Sequence, residues 1–227
     1  MYKNPDLVTK KEITSNMERR FGGELYDRYW SEYKPFFGPE ITSEIERRLA
    51  VGEITVLDVG SGAAEALHDL KQRYPAIHPV GIDLFASQQR EGVSQIRGDA
   101  EQLPLGDSTV DLIISVKVFM YLQDKLKFIS EAYRVLKSSG VAYIDMHTDP
   151  SGYTEPGLAE IIDREQLGDL LSIHEVVEDD GFTTYCLEID KIDGRVFDWE
   201  EKFTGASQYI HKAWTRGTIE TFMSHYQ

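Results

Sequence analysis

Asp58 stands between an apolar run and two glycines, in Ile54-Thr55-Val56-Leu57-Asp58-Val59-Gly60-Ser61-Gly62. The β-branched run reads as a buried strand that stops at the acid, and the pattern after Gly62 is helical. Such a strand, turn and helix bring a carboxylate, backbone N–H groups and the positive end of a helix to one place. Gly60 and Gly62 let a ligand approach the main chain, because no Cβ stands in the way. As a mere helix cap, Asp58 would be an acid buried at high cost without a cationic partner. A ligand site is the better reading.

The chemistry of the turn narrows the ligand. A dinucleotide site needs small groups at the helix entry, with its pyrophosphate on the positive end. Here Gly60-Ser61-Gly62-Ala63-Ala64-Glu65 puts an acid at the third small position, and Asp58 adds a second negative group. A ligand with an amine and a positively charged sulfur suits this corner better than a diphosphate.

The elements that must position these groups follow from the pattern. Strands are expected at 54–58, 78–83, 93–97, 110–115 and 141–146, with helical stretches at 62–73 and 125–137 and looser segments near 85–90 and 100–103. That alternation implies parallel strands with crossover helices on both faces. Residues 10–50 read as helices, aromatic-rich from Arg19 to Tyr33 and amphipathic from Glu40 to Leu49. Asp163-Arg164-Glu165-Gln166 has capping-box spacing ahead of a helical pattern of Leu167, Leu170, Leu171, His174 and Val177 that stops at Gly181. Phe182 to Ile189 and Arg195 to Phe203 are expected as strands around Asp193-Gly194. Residues 207–227 are weakly helical.

With 227 residues the chain suits one α/β domain with additions. A formal charge of −15 speaks against a sequence-independent grip on nucleic acid or anionic membranes. Cys186, the single cysteine, excludes an internal disulfide and reads as a small core hydrophobe. The start lacks the apolar core of a secretory signal, and Leu112 to Leu122 is too short to span a bilayer. The expectation is a cytoplasmic protein, monomeric or homodimeric, with a small-molecule partner, no nucleic acid, no membrane and no metal.

Several motifs in order resemble the class I S-adenosylmethionine-dependent methyltransferases over roughly residues 50–190. Asp58-Val59-Gly60-Ser61-Gly62 looks like their first motif, which holds the methionine moiety. Ile82-Asp83-Leu84 resembles the end of the second strand, where the acid meets the ribose hydroxyls and the apolar residue packs on adenine. Gly98-Asp99-Ala100-Glu101-Gln102-Leu103-Pro104 resembles the adenine motif, with Asp99 toward the amino group. Val110 to Ser115 matches the fourth strand, and Glu131-Ala132-Tyr133-Arg134-Val135-Leu136-Lys137 with Gly140 looks like the helix and turn before the fifth. Ala64 departs from the family's third glycine. Ser138-Ser139-Gly140 departs from its usual turn, and Tyr121 stands where many relatives have a histidine.

The resemblance implies a Rossmann-like three-layer α/β sandwich with a mostly parallel seven-stranded sheet and an antiparallel C-terminal hairpin. It implies S-adenosylmethionine as cofactor, held by Asp58, Gly60, Ser61, Gly62, Asp83, Leu84, Asp99, Ala100, Ser115 and Lys117. Residues 1–50 would form a helical cap and 51–190 the cofactor-binding core, with 191–227 completing the sheet and cover. Tyr29 and Tyr33 read either as packing or as a lid whose aromatic face lies against the sulfonium or the acceptor.

Methyl transfer to a small-molecule oxygen, nitrogen or carbon is the expected reaction. Alignment in line can carry most of it and makes a strong base optional. Tyr121 and His147 are the candidate bases, and Lys117 the candidate to orient a carboxylate acceptor. The rival readings are a non-catalytic cofactor-binding protein, a nucleic-acid methyltransferase and, last, a dehydrogenase.

Overall fold

Residues 29–85, 89–122, 124–146, 168–177 and 183–192, with Ser15 and Asp163, are described by the computed structural model. The five expected strands form β1 (Ile54–Val59), β2 (Ile77–Asp83), β3 (Ser94–Arg97), β4 (Val110–Ser115) and β5 (Leu136–Asp145). These pair in parallel in the order β3-β2-β1-β4-β5, and β6 (Leu171–Val177) and β7 (Thr183–Asp190) extend the sheet antiparallel as β5-β7-β6. The mostly parallel seven-stranded sheet with an antiparallel C-terminal pair is therefore as the sequence implied.

The helices lie on its two faces. A short α1 (Trp30–Tyr33) runs through a 3₁₀ turn (Lys34–Phe37) into α2 (Glu40–Leu49). α2 buries Ile41 and Ile45, one turn apart, which stabilises by about 1.5–3 kcal/mol for each side chain. These elements and α3 (Glu65–Arg73) cover the face presented by Ile54, Val56, Leu112 and Ile114. α4 (Lys125–Val135), capped where Asp124 accepts the Lys127 N–H at 2.9 Å, covers the other face with Phe128, Ile129 and Ala132 against Leu57, Val59 and Ile113. Burial on both faces explains why β1 and β4 read as nearly continuous apolar runs.

The sequence pattern and the structure differ in the last third. Leu171 to Val177, expected as helix, is the edge strand β6. Its β-branched residues Ile173, Val176 and Val177 suit a pleated strand, and pairing with β7 from Leu171↔Ile189 to Val177↔Thr183 overrides the local helical spacing. Among the described residues β6 pairs antiparallel with β7, and β7 corresponds to the expected strand Phe182 to Ile189; the expected strand Arg195 to Phe203 and the rest of 193–227 lie outside the described residues. Two boundaries also move. α3 starts at Glu65 and not at 62, because Ala64 sits in the left-handed region at φ +61°. α4 ends at Val135 and β5 begins at Leu136, with a bend where a Cβ on Gly140 would stand 2.8 Å from the Lys137 carbonyl oxygen.

Candidate functional site

Sheet order reverses between β1 and β4, and the carboxyl ends of β1, β2, β4 and β5 meet around that point. Open α/β sheets bind ligands in this crevice. Asp58 lies near the end of β1 on the face of Ile54 and Val56, the face covered by Trp30, Tyr33, Phe36 and Phe37. It is 0% exposed, and neither carboxylate oxygen has a hydrogen-bond partner among the described residues. Burial first, and then the like charge of Asp83, push its pKa well above the ordinary carboxylate range. The Tyr33 hydroxyl opposes that shift at longer range than a full hydrogen bond. A buried carboxylate without a donor is costly, and an ammonium group would relieve it.

The turn after β1 is shaped for close approach. Gly60 has φ +81°, and a Cβ there would stand 2.0 Å from Val118 Cγ2. Its N–H and that of Ser61 donate to the Ile82 carbonyl at 2.7 and 3.2 Å. Ser61 is buried, and its Oγ would lie 2.6 Å from a Cβ on Gly81, the β2 partner of Asp58. Gly62, at φ +54°, donates its N–H to Asp83 Oδ2 at 3.0 Å, while Phe85 N–H donates to Asp83 Oδ1 at 2.8 Å. A carboxylate has about four acceptor sites on its two oxygens, so Asp83 retains capacity for two hydroxyls. Leu84 follows it half-buried.

Asp99 closes an Asx turn after β3. Its Oδ1 accepts the Glu101 N–H at 3.0 Å, and its carbonyl accepts the Gln102 N–H at 3.0 Å. Ala100 is buried beside it. Glu65 is not the bare anion that its sequence position suggested. Arg90 Nη2 lies 2.5 Å from its Oε2, and Arg90 Nε donates to the Ala63 carbonyl at 3.1 Å. The charge argument against a diphosphate therefore rests on Asp58.

Beyond β4 the candidates separate. The Ser115 hydroxyl donates to the Val59 carbonyl at 2.9 Å and so ties β4 to β1. Lys117 adopts φ +56°, and its ammonium lies 5.3 Å from the centroid of the Phe36 ring. Tyr121 is half-buried on a 3₁₀ turn (Phe119–Tyr121) whose N–H to Val118 carbonyl distance is 2.8 Å. Tyr33 is buried and faces Asp58, whereas Tyr29 is 54% exposed, so the two tyrosines are not one aromatic surface. Trp30 N–H donates to Asp69 Oδ2 on α3 at 3.2 Å. His147 lies outside the described residues.

One residue of the crevice escaped the sequence reading. Asp145 ends β5 fully buried, with Oδ1 accepting from the Thr184 hydroxyl at 2.9 Å and Oδ2 from the Lys117 N–H at 3.0 Å. It fixes the left-handed turn that carries Lys117 and sets Val118 against Gly60. Its signal was present: like Asp58, it is an acid closing an apolar β-branched run.

Comparison with known proteins accords with this geometry. Residues 57–144 match the family described as "Methyltransferase domain". A malonyl-[acyl-carrier protein] O-methyltransferase of Geobacter sulfurreducens is 34% identical over 95 residues, 38% of this chain and 36% of that protein. A probable S-adenosylmethionine-dependent methyltransferase of Mycolicibacterium smegmatis is 26% identical over 141 residues, 61% of this chain and 53% of that protein. The chain thus spans between about a third and about half of these relatives' length. Among solved structures, Burkholderia thailandensis 1,6-didemethyltoxoflavin-N1-methyltransferase with bound S-adenosylhomocysteine superposes with a TM-score of 0.54 at 16% identity, covering 85% of this chain and 94% of that one. The matched stretch, 57–144, is less than half of the chain, and over it the chain is similar to methyltransferase domains, some of them S-adenosylmethionine-dependent. Among the described residues no helix is long and apolar enough to cross a membrane.

Proposed function

We propose that the protein transfers a methyl group from S-adenosylmethionine to a small-molecule oxygen, nitrogen or carbon. The observation that carries the cofactor's placement is the Asp58 carboxylate, buried at the switch point with both oxygens unpartnered. The residues present fit the group: an orphaned acid for an ammonium, and an acid at the end of β2 with capacity for two hydroxyls. Bound there, S-adenosylmethionine supplies a methyl group on a positively charged sulfur that leaves readily.

Asp58 and the Gly60-Ser61-Gly62 backbone would hold the amino-acid end, Asp83 the ribose, Leu84 and Ala100 the faces of the base, and Asp99 its amino group. Ser115 acts through the strand end that it ties down. Lys117 would sit at the mouth between the cofactor's amino-acid end and the acceptor. Tyr33, with Tyr29 at the rim, would contribute the cap over the acceptor side, whose enclosure excludes water and aligns the acceptor in line. For a hydroxyl or ammonium acceptor, Tyr121 or His147 would remove the proton; a carboxylate acceptor needs no base. In this division residues 1–50 would be the cap, 51–190 the cofactor core, and 191–227 the segment that completes the sheet and cover.

The fold alone does not determine the reaction. Incubation with methyl-labelled S-adenosylmethionine and a panel of small acids, phenols and amines tests it. Label transferred to a panel member supports the proposal. Tight cofactor binding with no transfer to the panel or to a small-molecule cell extract would instead favour a cofactor-binding protein without catalysis.

A further inference from the structure

Pro104 packs over Gly98, immediately before Asp99: a Cβ on Gly98 would stand 2.9 Å from Pro104 Cγ. Both neighbours of Pro104 are gripped from α4, on the far face of the sheet. Glu131 Oε2 accepts the Leu103 N–H at 2.8 Å, and Arg134 Nη2 donates to the Leu103 carbonyl at 3.0 Å. Arg134 Nη1 donates to the Leu105 carbonyl at 2.8 Å and to Asp107 Oδ1 at 2.7 Å. The two clamping side chains are joined to each other, Nε to Oε1 and Nη2 to Oε2, each at 2.8 Å. The guanidinium thus divides its donors between Glu131 on its own helix and one short stretch of loop, a rigid fork that a lysine cannot reproduce. Glu131 is buried, and its carboxyl is held below the usual range chiefly by Arg134.

We propose that Glu131 and Arg134 are positioning residues for recognition of the adenine base. They fix Leu103 and Leu105, which set Pro104 on Gly98, which places the Asp99 turn at the carboxyl end of β3. An arrangement serving stability alone would not need to fix that turn against a base. A loop freed by loss of the clamp would bind the nucleoside less selectively, while the amino-acid end at Asp58 would be untouched. This inference rests on the adenosyl reading of the Asp99 turn.

The test uses the full chain and three probes by calorimetry: S-adenosylhomocysteine, its 6-oxo analogue S-inosylhomocysteine, and 5′-methylthioadenosine, which lacks the amino-acid end. The parent should prefer S-adenosylhomocysteine over the inosyl analogue by about tenfold or more. Arg134→Lys should bring that ratio close to unity, yet leave the preference over 5′-methylthioadenosine within about twofold of the parent. If Arg134→Lys does not fold, Asp107→Asn, which removes only the outer arm, should lower the base ratio in the same direction. An unchanged base ratio, or base and amino-acid preferences falling together, overturns the clamp. A parent that binds S-adenosylhomocysteine with no preference for adenine would instead overturn the Asp99 assignment, and a parent that binds none of the probes would overturn the cofactor site.

Discussion

Asp83 accepts the backbone N–H of Gly62 at 3.0 Å and so joins the end of β2 to the turn that follows β1. The same carboxylate accepts the Phe85 N–H at 2.8 Å and adds, after burial, to the upward shift of the Asp58 pKa. It therefore ties two strand ends together as well as being the acid proposed for the ribose. Asp83→Ala should weaken S-adenosylhomocysteine binding at least tenfold, about 1.4 kcal/mol, as read by calorimetry on protein shown to be folded. Unchanged affinity would remove the ribose assignment.

Asp58 makes stability depend on pH in a direction opposite to that of a salt-bridged acid. Its folded pKa lies above the unfolded value of about 3.8, so the folded ligand-free protein binds the extra proton. Its contribution is fully present below that value and is lost as pH rises through the folded pKa. Thermal melts of Asp58→Asn should lack this alkaline-going loss and exceed the parent at neutral pH. An amine-bearing ligand favours the ionised carboxylate, so its affinity for the parent should rise with pH through the folded Asp58 pKa, and that rise should be absent in Asp58→Asn. Melts of parent and variant that run parallel across pH would contradict a buried, unpaired acid.

Gly60 is required twice over, by its φ of +81° and by Val118. Gly60→Ala should cost about 1–3 kcal/mol in urea denaturation from backbone and packing strain. Adding Val118→Ala should recover the steric share and leave the backbone share. No recovery in the double variant would show that Val118 is not what crowds the turn.

Thr184→Val removes the donor to Asp145 Oδ1 at nearly constant volume. Loss of that bond to a buried carboxylate should cost about 1–3 kcal/mol. The turn at Lys117 should loosen as well, which faster amide exchange at residues 116–118 would report. Unaltered stability and exchange would mean that Asp145 does not hold the turn.

Much of this was readable from the chain because the core strands are buried on both faces and close on acids or glycines. Val56, Leu57 and Ile113 announce strands, and Asp58 announces a site, through local sequence alone. What was not legible depends on partners far along the chain. β6 shows a helical spacing of Leu170, Leu171, His174 and Val177, and only pairing with β7 makes it a strand. The Ser115 hydroxyl serves the Val59 carbonyl, 56 positions away, and Asp145 serves Thr184, 39 positions away. Arg134 falls inside a recognisable motif, but its grip on Leu103 and Leu105 appears only once α4 and the loop after β3 are placed together.

The cofactor account depends most on a buried acid that awaits a positive amine. Calorimetric titration of the parent and of Asp58→Asn with S-adenosylhomocysteine and with 5′-methylthioadenosine tests this directly. The parent should favour the ligand bearing the amino acid by about tenfold or more, and the variant should lose that preference while still binding 5′-methylthioadenosine. A preference that survives in Asp58→Asn, or no binding by the parent at millimolar ligand, would contradict it.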